Sequence, residues 1–124
     1  MLLNLTNHPS TRWSEKQLAA AEEAYGGVQD LQFPSIPSAA STGEVEVLAE
    51  HYLQKVLEAS PVAVHLQGEF TFVYALALRL QNLNIPVVAS TSERTVEERE
   101  GEKIVRFNFV QFRAYPEAGK TLSA

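Results

Sequence analysis

Val62-Ala63-Val64-His65-Leu66 runs without a charge between Pro61 and Gly68. An apolar stretch of that length, bounded by turn formers and without strict alternation, fits a strand buried on both faces. Such strands belong to parallel sheets, and parallel neighbours need long crossovers, usually helical. The flanking sequence supplies them. On the amino-terminal side, Val45, Leu48, Tyr52 and Val56, with Ala49, Leu53 and Leu57, repeat at the helical period opposite Glu46, Glu50 and Lys55. Ser41 and Glu44 form a capping box at the start of that helix, and it stops near Ser60-Pro61. On the carboxyl side, residues 70–83 read as a helix apolar nearly all round, which calls for enclosure, for instance by a partner subunit.

The rest of the chain continues the alternation. Residues 2–6 read as a first strand that ends in the turn-forming Asn7-His8-Pro9-Ser10. Ser14 and Gln17 cap a helix that runs to Gly26-Gly27, with Leu18, Ala21 and Tyr25 as its inner face. A second strand over 28–33 is closed by Pro34 and Pro37 and followed by a Ser/Ala/Pro loop over 35–43. A fourth strand covers 85–89, with 91–96 compatible with its extension. Residues 104–112 alternate Val105, Phe107 and Phe109 against Arg106 and Asn108, and the charged turn over 97–103 makes the two a hairpin. The expected fold is α/β: a mostly parallel sheet of order 2-1-3-4-5 with an antiparallel C-terminal strand, in one domain over 1–115. Residues 116–124 are small and polar and are expected to form a flexible tail.

Composition narrows the function classes. The 124 residues include no cysteine, which excludes disulfides, thiolate metal sites and thiol nucleophiles. A net charge of −5 and a pI near 5.2 disfavour sequence-independent binding to long DNA or RNA. The longest apolar run lies within 70–78, far short of the ~20 residues that span a bilayer. The first residues lack a basic segment and a long apolar core, so no signal peptide is expected and the chain reads as cytoplasmic. Phosphate-binding G-x-x-x-x-G-K, dinucleotide-binding G-x-G-x-x-G and zinc-binding H-E-x-x-H signatures do not occur, and no carboxylate cluster has metal-ligand spacing. No metal and no cofactor are expected.

In a sheet of that order the ligand crevice lies beyond the carboxyl ends of strands one and three, where the direction of sheet growth reverses. Three polar stretches are expected to converge there: Asn7 to Ser10, Gln67-Gly68-Glu69-Phe70-Thr71, and Ser90-Thr91-Ser92-Glu93-Arg94. His8 is the histidine of these loops, and imidazole suits proton transfer near neutrality. Its other reading is a turn former before Pro9. His65 reads as a core histidine and His51 as solvated. Gly68 permits close backbone approach, and Glu69 is either an acid at a helix start or a catalytic group. Arg94 is the electrostatic candidate for a phosphate, or else pairs with Glu93 or Glu97. Trp13 either stacks a base or packs the helix start.

Leu2-Leu3-Asn4-Leu5-Thr6-Asn7-His8-Pro9 before a capped helix resembles the opening of small CRISPR-associated accessory proteins. Val64-His65-Leu66-Gln67-Gly68-Glu69-Phe70-Thr71 before an Ala/Leu-rich helix resembles the second motif of CARF domains, the CRISPR-associated Rossmann fold. Together, loosely over residues 2–115, they resemble the stand-alone ring nucleases of type III CRISPR systems. The resemblance implies a Rossmann-like three-layer sandwich that binds a cyclic oligoadenylate across a homodimer interface. It further implies metal-independent cleavage, in which a ribose 2′-hydroxyl attacks the adjacent phosphorus. His8 then takes the proton-transfer role, Ser10 and Thr71 bond phosphate or ribose, and Gly68 is the point of close approach. Asn7, Trp13, Gln67, Glu69, Ser90, Thr91 and Ser92 complete the expected ligand-binding set, and Arg94 joins His8 as a catalytic candidate. Where the CARF motif offers a Gly-rich turn with a nearby Thr and Lys, here Glu69 and Phe70 intervene and the motif holds no Lys. The alternatives are a non-catalytic cyclic-nucleotide sensor and a small α/β protein-interaction module.

Overall fold

The computed structural model describes residues 1–117. The tail expected over 116–124 lies, from residue 118 onward, outside the described residues. The elements are β1 (Leu2–Leu5), α1 (Glu15–Tyr25), β2 (Val28–Asp30), α2 (Thr42–Ala59), β3 (Ala63–Leu66), α3 (Phe70–Asn82), β4 (Val87–Arg99) and β5 (Glu102–Ala114). A single 3-10 turn, Ser10–Arg12, precedes α1. One five-stranded sheet has the order β2-β1-β3-β4-β5. Its first four strands are parallel, and β5 runs antiparallel to β4. The order and directions are those expected from the sequence.

Alternation along the central strands divides the core in two. Leu3 and Leu5 of β1, Val64 and Leu66 of β3 and Val87 of β4 pack with Val45, Ala49, Leu53 and Val56 of α2 and with Phe72, Leu76 and Leu80 of α3. Leu2, Ala63 and Val88 belong to a second cluster with Trp13, Ala21, Tyr25 and Phe112. All four residues of β1 and all four of β3 are buried, as strands covered on both sides must be. Two polar residues, Asn4 and His65, sit in those strands on the second side.

Each helix begins as its sequence dictates. The Ser14 hydroxyl accepts the Gln17 amide at the start of α1, and Ser41 and Glu44 form the reciprocal capping box of α2. Leu18 at 39% and Ala21 at 0% exposure show that α1 turns a narrow face inward. The α3 helix departs from the expectation of all-round enclosure: Phe70, Tyr74 and Leu78 form an exposed stripe at 87, 68 and 39%. The sheet face and α2 cover only the opposite side of that helix. Strand β2 is shorter than expected, ending at Asp30, and the hairpin is longer, with 13 residues in each strand.

One glycine sets a close contact at the carboxyl edge of the sheet. A Cβ built on Gly68 would stand 2.3 Å from the Phe33 ring, itself packed edge-on against Phe72 with ring centres 5.3 Å apart. Gly68→Ala must push that ring out of its place and is expected to cost about 1–3 kcal/mol by overpacking. Urea unfolding followed by circular dichroism measures it; an unchanged midpoint would show that Phe33 yields without loss.

Candidate functional site

The carboxyl edges of β1, β2 and β3 are tied together by one buried amide. Asn4, 1% exposed, donates from Nδ2 to the His8 carbonyl at 2.8 Å and to Asp30 Oδ1 at 2.9 Å. Its Oδ1 accepts the Thr6 hydroxyl at 2.9 Å and faces His65 Nδ1 at 3.0 Å. Both donors are used, so the amide orientation is fixed. The loop after β1 is held at the same point: Thr6 Oγ1 accepts the His8 amide, and the His8 carbonyl also accepts Trp13 Nε1 at 3.1 Å. Asp30 reaches across to Ser10, accepting its backbone amide and, at 2.8 Å, its hydroxyl.

His65 joins this network to the next strand. Its Nε2 lies 2.7 Å from Gln67 Oε1, which also accepts the Ser90 amide at 2.9 Å and the Ser90 hydroxyl at 2.7 Å. The Ser90 amide fixes the Gln67 carboxamide as an acceptor, just as Asp30 fixes Asn4. A neutral imidazole has one N–H for two facing oxygens, whereas an imidazolium would serve both. Burial nevertheless lowers the His65 pKa to about 4; the Gln67 contact raises it and the charge of His8 lowers it. Desolvation outweighs the two acceptors because the ring is 2% exposed and stacked edge-on between Trp13 and Phe112.

A cavity of about 670 Å³ opens on this network, and His8, Trp13, Gln67, Ser90, Thr91 and Ser92 of the sequence-predicted set line it. Arg12, His65, Phe107 and Phe109 line it too, and none of these four was singled out for it from the sequence. The aromatics arrive there through a bulge. Thr91 pairs with Gln111 but Ser92 pairs with Phe109, leaving Val110 unpaired. Without that extra residue Phe109 and Phe112 would point to opposite faces; with it both rings share one face, 5.0 Å apart.

The other predicted residues lie elsewhere. Asn7 lines a smaller cavity of about 370 Å³ with Asp30 and Phe33. Ser10 is engaged by Asp30, and Gly68 abuts Phe33. Glu69 caps α3: its carboxylate accepts the Thr71 hydroxyl and the Thr71 and Phe72 amides. Those bonds, the Thr71 hydroxyl first, hold its pKa below the usual carboxylate value. The amides at the start of α3 thus already hold an anion, the Glu69 carboxylate. Thr71 faces a groove between α2 and α3 beside Phe70 and Tyr74. Arg94 stands beyond Ser92, opposite Phe107, outside the lining of the 670 Å³ cavity.

Asn4 and Asp30 were missed in the sequence. The signal available for Asn4 was a lone amide inside an otherwise apolar strand, since a buried polar group must be bonded. Among the described residues no three His, Asp or Glu side chains gather as a metal site, and no helix is long and apolar enough to cross a membrane.

These features define a small α/β domain with a polar, aromatic-walled cavity at the carboxyl edge of a five-stranded sheet. The chain belongs to the Uncharacterized protein MJ1673 family, whose match covers residues 1–113 and so takes in the whole cavity. No curated protein and no solved structure matches it.

The His65 environment has a consequence for stability. The unfolded histidine titrates near 6.5 and the folded one near 4, so the native state binds fewer protons between those values. Stability is complete above pH 6.5 and falls as the pH drops toward 4, by up to ~3 kcal/mol. Denaturant midpoints across that range measure the slope, and His65→Gln should flatten it.

Proposed function

We propose that the chain is a ring nuclease that binds and opens a cyclic oligoadenylate, on a Rossmann-like three-layer sandwich acting as a homodimer in the cytoplasm. The observation that carries this reading is the 670 Å³ cavity, which collects an imidazole, hydroxyls, a carboxamide and aromatic rings at the carboxyl edge of β1, β3 and β4. These are the groups that a phosphodiester and its bases call for. Loops at that edge are where open α/β sheets bind ligands.

In this mechanism the ribose 2′-hydroxyl attacks the adjacent phosphorus while the 5′-oxygen leaves, giving a 2′,3′-cyclic phosphate and a 5′-hydroxyl. The His8 ring, on the loop fixed by Asn4 and Thr6, exchanges the proton. Ser92, with the nearby Arg12 guanidinium, faces the phosphate, and Phe107 offers a stacking surface to a base. The volume suits a drug-sized ligand rather than a whole ring of four or more nucleotides, so a two-fold ring would be shared between two copies.

A protein-interaction module is the second reading, favoured by the exposed Phe70, Tyr74 and Leu78 stripe on α3.

Incubation with cyclic tetra- and hexa-adenylate, with and without a chelator, followed by chromatography, tests the proposal. Linear products that persist in chelator are expected. His8→Ala should lower turnover by about 10²-fold or more while leaving ligand affinity in place. Rings that stay intact would overturn the nuclease reading, and calorimetry on the same samples would then separate a sensor from a module that binds no cyclic nucleotide.

A further inference from the structure

Strand β4 pairs with β3 only through Val87 and Val88, whereas its pairing with β5 continues to Arg99. Beyond the sheet, therefore, β4 and β5 stand as a two-stranded arm. Such a ribbon is marginal in water unless something covers one of its faces. Register assigns the two faces, because directly opposed residues share a side. One face carries Glu93, Thr95, Glu97 and Arg99 with Asn108, Arg106, Ile104 and Glu102, and Arg99 lies 3.7 Å from Glu97. The other face carries three rows: Arg94 with Phe107, Val96 with Val105, and Glu98 with Lys103. Its apolar members are uncovered, Val96 at 47%, Val105 at 43% and Phe107 at 70%. Among the described residues Arg94, Glu98 and Lys103 make no ion pair.

The order of those rows is self-complementary. A two-fold axis across the strands at the Val96–Val105 row turns a second copy so that its β4 lies on β4 and its β5 on β5. Valine then meets valine, Arg94 meets the partner's Glu98, and Phe107 meets the partner's Lys103. The first is an ion pair and the second a cation over an aromatic ring. We propose that this face of the arm is the surface on which two copies of the chain associate. The pairing rests on the homodimer of the preceding section and names its interface. It brings the partner's Lys103 to Phe107, at the wall of the 670 Å³ cavity, so each copy adds a cation beside the other's site. The α3 stripe of Phe70, Tyr74 and Leu78 is also apolar and exposed, but those residues offer no charged pair to fix a register.

Arg94 and Glu98 test the register directly. Four residues apart in one strand, they are separated by about 13 Å and do not touch within a copy. Sedimentation of the full chain at micromolar concentration should show a dimer. Val96→Glu should abolish it while the circular dichroism spectrum stays unchanged and thermal melting stays cooperative, its midpoint no longer rising with protein concentration. Arg94→Glu and Glu98→Arg should each weaken association by about tenfold, and combining them on one chain should restore most of it. A monomeric wild-type chain would overturn both the interface and the homodimer. A dimer that survives Val96→Glu, or is lost on Tyr74→Glu instead, would overturn the interface and leave the homodimer standing. A double variant no tighter than the singles would overturn the two-fold register.

Discussion

Everything at the carboxyl edge of the sheet depends on the orientation of one buried carboxamide. Asn4 lies in a strand whose other three residues are leucines, and an amide at 1% exposure costs stability unless its donors and acceptor are all used. Its two N–H groups go to Asp30 and the His8 carbonyl, and its oxygen meets Thr6 and His65. Those four partners come from β2, from two positions in the loop after β1, and from β3. The constraint that satisfies the amide is therefore the same one that sets where the loop bearing His8 stands. A polar network in a low-dielectric interior rewards completeness, and among the described residues no buried side-chain nitrogen or oxygen lacks a partner.

From that point the cavity grows by relay. Asp30 fixes Asn4, Asn4 meets one edge of His65, Gln67 meets the other, and Ser90 holds Gln67. The relay crosses β2, β1, β3 and β4 in their spatial order. It leaves His65 neutral between two carboxamide oxygens, buried enough that its protonation opposes folding. The other imidazole of this edge, His8, stands exposed on its loop. One histidine is thus enclosed in the network and the other faces solvent.

How much of this was legible in the sequence follows from what each signal reports. Continuous apolar strands, capping boxes and helical periods report burial and local hydrogen bonding, so β3, α1 and α2 and the sheet order could be read directly. The α3 stripe could not: composition said apolar, but only packing against α2 and the sheet shows which side is left open. Six of the expected site residues reach one cavity because strand ends and their loops are local features. Thr71 and Arg94 do not, since a helix turn and a strand extension carry them to other surfaces. Asn4 and Asp30 act through partners 26 residues apart, and pairing over such a distance leaves no periodic trace.

The arm shows the same limit from the other direction. The alternation of Val105, Phe107 and Phe109 fixes a strand and gives it an apolar face, yet Phe112 falls on the opposite parity. A regular strand could not bury Phe112 on the core and aim Phe109 at the same side. The unpaired Val110 resolves the conflict by adding one residue to β5, and the aromatic row then runs unbroken from the core, along the cavity wall and out onto the arm. That continuity couples two properties that would otherwise be independent. Whatever covers the outer rows of the arm also shapes the wall of the cavity, so the proposed association and the proposed ligand site share a surface in this fold.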